Sequence, residues 1–159
     1  MSATVAASSP AHSTPAAWRV DLAFARRHVR AGELTLVLAR DGRVLAEGRR
    51  PGIADLAGLA GQPTGRFQGA VLADQVVGRA AALLARHLGL AAVYAGLTSR
   101  SAVDELAAAG IALEFSHLAL AILDRTRRHL CPFEALTQNI QDPAQALAAI
   151  EAFLGQGRS

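Results

Sequence analysis

The stretch AAVYAGLTSRSAVDELAAAGIALEF, residues 91–115, decides the fold. Ala91 to Gly96 is a short apolar run that reads as a buried strand, and Ser101 to Ala109 has helical periodicity closed by Gly110. Ile111 to Phe115 is then a second strand. A strand, a helix and a strand in such short succession predict a parallel pair joined by a right-handed crossover.

Upstream, Trp18 to Ala31 reads as an amphipathic helix, with Trp18, Leu22, Ala25 and Val29 on one stripe and Gly32 as its stop. Leu34 to Ala39 and Val44 to Glu47 read as strands. Asp41-Gly42 between them is a two-residue hairpin signal, because both residue types tolerate positive φ. From Gly48 to Gly69, glycines and two prolines surround a short helix at Ile53 to Leu59, a segment suited to a lid or rim. Ala70 to Leu88 reads as one long helix. Leu118 to Leu123 is assigned as extended, although periodicity alone does not separate strand from helix there. Pro132 to Gln138 and the segment from Asp142-Pro143 to Leu154 read as closing helices, each with proline at its first turn. The domain organisation expected is a disordered tail over 1–17, one domain over 18–155 and a flexible end at 156–159.

The chain has 159 residues, 52% of them hydrophobic and only 4% aromatic, enough for one substantial core. All 16 basic residues other than histidine are arginine. The absence of lysine excludes lysine Schiff-base chemistry and a P-loop lysine. The net charge of +3 is carried by scattered arginines with few aromatic neighbours, so they read as solvated faces and a nucleic-acid partner is not expected. No apolar run approaches a membrane span. A single cysteine cannot make an internal disulfide, which makes a reducing cytoplasm the natural setting.

Three stretches together resemble a known family: Val71-Leu72-Ala73-Asp74-Gln75-Val76-Val77-Gly78-Arg79-Ala80-Ala81-Ala82, Val93-Tyr94-Ala95-Gly96, and Leu123-Asp124-Arg125 leading to Cys131-Pro132-Phe133-Glu134. They look like the uncharacterised prokaryotic domain-of-unknown-function family DUF1893, over Ala17 to Leu154. The resemblance implies an α/β, cytidine-deaminase-like three-layer fold, with a mixed central sheet and helices on both faces. It implies no activity, since the family has none established. The chain departs from the family pattern at two positions where lysine is expected, Gln75 and Arg79. It departs again before Cys131, where Arg127-Arg128-His129 replaces a glycine-containing loop.

A zinc deaminase needs His or Cys followed by Glu on one helix and a Pro-Cys-x-x-Cys motif at the next. Here Asp74 has no neighbouring His or Cys, and the next helix begins Leu97-Thr98-Ser99-Arg100-Ser101. No metal and no cofactor are therefore expected.

The candidate site residues are Cys131 and Asp74 for catalysis and Arg125, Asp124, Ser99 and Glu134 for ligand binding. Cys131 precedes Pro132 at a helix entry among cationic residues, conditions that favour a thiolate, although an isolated cysteine is commonly a small buried hydrophobe. Glu134 would oppose that thiolate, and a cap of its own helix is the simpler reading. His129 is a candidate base for the thiol, and an exposed inert histidine the plainer alternative. If 70–88 is a helix, Asp74 lies within about 60° of the centre of the apolar side defined by Val77, Ala81, Leu84 and Leu88, with Arg79 and Arg86 opposite. An inward carboxylate must be hydrogen-bonded, paired or functional. Asp124 and Arg125 would stand at the mouth of the sheet, where Arg125 either binds an anion or steadies its loop. Thr98, Ser99 and Ser101 form an anion cradle or serve as helix caps.

The preferred reading is a protein that binds a small anionic or nucleotide-like ligand without zinc. The alternatives are an enzyme with Cys131 as nucleophile and Asp74 as proton carrier, and an interaction scaffold whose open sheet edge or alanine-rich helix surface supports a homodimer.

Overall fold

The structure, a computed structural model, describes residues 2–5, 15–31, 33–63 and 65–157. The order is β1 (Ala3–Val5), α1 (Pro15–Ala31), β2 (Leu36–Arg40), β3 (Arg43–Gly48), α2 (Ala54–Ala60), β4 (Val71–Val77) and α3 (Arg79–Leu88). There follow β5 (Ala92–Ser99), α4 (Arg100–Ala108), β6 (Ala112–Ala119), α5 (Pro132–Thr137) and α6 (Pro143–Gln156). The fold is α/β, with one mixed sheet in the order β1-β6-β5-β4-β2-β3. The pair β5–β6 is parallel, as the strand–helix–strand stretch predicts, β4–β5 is parallel as well, and the remaining pairs are antiparallel.

Helices cover both faces. Leu22, Ala25 and Val29 of α1 pack on Val37, Ala39, Val71, Ala73, Ala92 and Ala112. On the other face Leu36, Leu38, Leu72, Val93, Ala95 and Leu113 meet Leu56, Leu84, Leu106 and Ile150 from α2, α3, α4 and α6. The hairpin turn has positive φ at both Asp41 (55°) and Gly42 (72°). Its two N–H groups donate to the Asp21 carboxylate of α1, at 3.0 and 2.9 Å, which ties α1 to the hairpin.

The long helix expected at 70–88 is instead a strand, a glycine and a helix. Val71–Val77 is the central strand β4, and only Arg79–Leu88 is helical. Because both faces of β4 are covered, its apolar residues do not alternate with polar ones and the period-2 signal is lost. The alanines that follow then extend the helical pattern backwards. Gly78, extended at φ −94° and ψ −172°, marks the true boundary.

Other boundaries shift less. Leu118 and Ala119 complete β6, and Leu123 makes an isolated antiparallel bridge with Leu130. Within the expected tail, Ala3–Val5 pair with the edge of β6 and α1 already begins at Pro15; residues 1 and 6–14, the Gly32 stop and 158–159 lie outside the described residues. No helix among the described residues is long and apolar enough to cross a membrane.

Two arginines read as solvated are partly buried. Arg79 and Arg86 of α3 both pair with Glu105 of α4, the former at 3.1 Å. Arg79 also donates to the carbonyls of Thr137 (2.9 Å) and Ile140 (2.7 Å), joining α3 to the chain between α5 and α6. Helical periodicity put these arginines away from the apolar side, but neighbouring elements pack there too. Removing Glu105 leaves two cations in a poorly hydrated seam, so Glu105→Ala is expected to lower unfolding stability by about 3 kcal/mol in urea denaturation. A loss below about 0.5 kcal/mol would show the seam to be solvated.

Candidate functional site

The site lies at the carboxyl end of β4, where parallel strands commonly receive ligands. Asp74 is on the face of β4 that carries Leu72, toward the larger helical layer, and is only 8% exposed. Its Oδ1 accepts the Val76 N–H at 3.2 Å. Among the described residues no side-chain donor and no cation reaches it. Burial therefore pushes the Asp74 carboxyl up to about 7, against hydrogen bonds from the Val76 and Gln75 backbone that pull it down.

Asp74 borders a pocket of about 170 Å³. One wall is the turn from β4 into α3, with Gly78, Ala80 and Ala81. A second is Pro51, Gly52 and Ile53 from the loop after β3, so part of the glycine-rich segment does serve as a rim. The third is Ile122, Cys131, Phe133 and Glu134 from the chain after β6. Apart from Asp74, Glu134, Cys131, Thr35 and Gln75, the lining side chains are apolar or absent.

Glu134 fixes the third wall. It is 7% exposed, and Oε1 accepts the N–H of Arg79, the first of α3, while Oε2 accepts the Ser101 hydroxyl at 3.3 Å. A carboxylate there satisfies an orphan donor and complements the positive end of the helix. Burial raises the Glu134 carboxyl, and these donors together with the Arg79 charge lower it. Glu134 thus caps α3, across 55 residues of sequence, rather than its own helix. A Cβ at position 78 would run into its carboxylate, which is why Gly78 stands there.

Three of the six predicted residues, Asp74, Cys131 and Glu134, meet at this pocket. Cys131 is half-buried at the N-cap of α5, and its N–H donates to the Ile122 carbonyl at 2.9 Å. Helix α5 has only six residues, so its dipole is small. Ser99 is buried and caps α4, its Oγ accepting the Ala102 N–H at 3.3 Å. Asp124 orders its own loop by accepting the Thr126 hydroxyl at 2.7 Å, and that bond, with backbone N–H groups of the loop, holds its carboxyl below the usual range. Arg125 is exposed on the same loop and does not line the pocket. His129 is exposed, with Nδ1 3.6 Å from Asp124. Thr35 and Ile53 were not singled out as site residues in the sequence, where a wall residue carries no motif, and Phe133 entered only within the family stretch.

A catalytic zinc of the deaminase kind is not matched by the residues of the pocket. A catalytic zinc needs three protein ligands. The pocket supplies one thiol and two carboxylates, one of them committed to the Arg79 N–H, and no group of three or more His, Cys, Asp or Glu among the described residues is placed to hold a metal.

The fold and site thus define a three-layer α/β protein with an acidic, largely apolar pocket at the end of its central strand. The family model described as Domain of unknown function (DUF1893) matches residues 24–154, and the chain belongs to that family. A crystal structure of a DUF1893 family protein from Thermotoga maritima is similar, with a TM-score of 0.73 and 20% identity over 89% of this chain and 92% of that one. None of the curated proteins matches the chain.

The raised Asp74 fixes the sign of a pH effect. Its stabilising share is complete below the unfolded value near 3.8 and is lost as pH rises through about 7. Urea unfolding between about pH 5 and 8 should therefore show the wild type losing roughly 2–3 kcal/mol that Asp74→Asn does not lose. Parallel pH profiles for the two proteins would contradict this. Gly78→Ala should also lower the melting temperature by several degrees, through its clash with Glu134, and Gly78→Ala combined with Glu134→Ala should lose less than the sum of the single changes.

Proposed function

We propose that this chain is a zinc-independent protein of cytidine-deaminase-like fold that binds a small nucleotide-like ligand. The ring of the ligand occupies the pocket beside Asp74, and its anionic part lies outside, toward the loop that carries Arg125. The observation that carries the proposal is Asp74 itself, enclosed, without a cation, and bordering a cavity of about 170 Å³. A buried carboxylate without a charged partner is costly to maintain for stability alone. An apolar cavity of roughly 150 Å³ accepts benzene, so the space suits a single ring. Support for the fold assignment comes from the hairpin followed by helix, strand, helix, strand, helix and strand. The loop between Leu123 and Leu130 springs from Ile122 and Cys131 at the pocket wall and exposes Arg125, Arg127 and Arg128.

A second reading has its own observation. Cys131 and Asp74 line the same pocket, the arrangement needed if Cys131 is a nucleophile and Asp74 its proton carrier. Should a turnover be found, Cys131→Ser with full activity would eliminate that assignment.

The test is thermal unfolding of the full chain against a panel of nucleosides and nucleoside monophosphates. At roughly 100 times Kd a bound ligand adds ~2.7 kcal/mol, or roughly 5–10 °C for a domain of this size. The expected result is such a shift for at least one monophosphate, reduced in both Asp74→Asn and Arg125→Ala, with slower iodoacetamide alkylation of Cys131 when the ligand is present. A panel without any shift would overturn the proposal.

A further inference from the structure

We infer that the pocket selects, in the ring it accepts, an edge bearing an N–H donor such as an amidine or a carboxamide, and rejects a ring bearing a carboxylate. This rests on the proposed ligand pocket and adds the chemistry of the part that enters it. Asp74 can only accept when ionised, and no side-chain donor or cation in the described protein meets its carboxylate. Glu134 is a second carboxylate lining the same pocket, while no arginine lines the cavity. An anion pushed into this space would face two carboxylates across a poorly hydrated gap, and both charges would lack a counterion.

The turn from β4 into α3 supplies the complementary group. Ala80 and Ala81 border the pocket at the first turn of α3, where backbone N–H groups have no intrahelical acceptor. Glu134 takes only the preceding N–H, that of Arg79. The pocket therefore offers an acceptor on β4 and donors at the start of α3. A planar group with a donor and an acceptor side by side, as in a carboxamide, can use both, and an amidinium gains a charge-assisted bond to Asp74. The chain as a whole has a net charge of +3, which at long range favours anions. A preference for a cationic or neutral donor would thus report the local pocket rather than the global field.

The experiment is a titration of the full chain at about pH 8, where Asp74 is ionised, by heteronuclear NMR with three rings of equal size: benzamidine, benzamide and benzoate. The expected order of affinity is benzamidine, then benzamide, with benzoate weakest, and with shift changes centred on Asp74, Val76 and Ala81. Asp74→Asn should weaken benzamidine at least tenfold. Ile53→Trp, which fills the rim without touching Asp74, should abolish binding of both donors and guards against a misfolded Asp74 variant. Equal or tighter binding of benzoate at the same residues would overturn the donor rule and leave the ligand pocket standing. Binding of benzamidine unaffected by Asp74→Asn would overturn it as well. If none of the three rings binds, the inference falls, and the nucleotide panel decides the broader proposal separately.

Discussion

The carboxylate of Glu134 holds the pocket together. It lies where α3 begins, accepts the first N–H of that helix and a hydroxyl from α4, and thereby anchors the returning chain after β6. Besides this contact, the short α5 is held by the Arg79 guanidinium on the Thr137 carbonyl and by apolar neighbours, among them Phe153 of α6, whose ring meets Phe133 edge-on at 5.2 Å. With it, Cys131, Phe133 and Ile122 become a wall rather than a loose surface segment. The same contact demands that residue 78 have no side chain, so a glycine at the β4–α3 junction and a glutamate 56 positions later form one structural unit.

That unit brings a capped helix start and a carboxylate without a charged partner to one pocket. Glu134 has donors for both oxygens, whereas Asp74 has backbone help at Oδ1 and no charged partner. Two acidic groups on adjacent walls therefore play different parts. Glu134 completes the scaffold, and Asp74 remains available to whatever enters. The Arg79–Glu105–Arg86 seam ties α3 to α4, and neither arginine lines the pocket.

Much of the fold was legible in the sequence because local chemistry encoded it. Asp41-Gly42 dictated a turn that needs positive φ twice, and Gly110 closed α4 before a parallel strand. The central strand was not legible by periodicity, since β4 is covered on both faces and runs into an alanine-rich helix; Gly78 was the available signal. Asp74 was expected to face inward from a helix, and it does face inward, but from a strand. The association of Asp74 with Cys131 and Glu134 is a matter of tertiary packing across 57 to 60 residues, which no local pattern specifies. Arg125 and Ser99 were read from residue type near strand ends, and packing assigns them to an exposed loop and to a helix cap.

The central claim is that Asp74 is an enclosed carboxylate with no cationic partner. Direct titration of its side-chain carboxyl by carbon-13 NMR tests it in the unliganded full chain. A midpoint near 7, well above an ordinary aspartate, is expected. A midpoint at or below about 4 would contradict it, because that value requires solvent or a positive charge at the carboxylate.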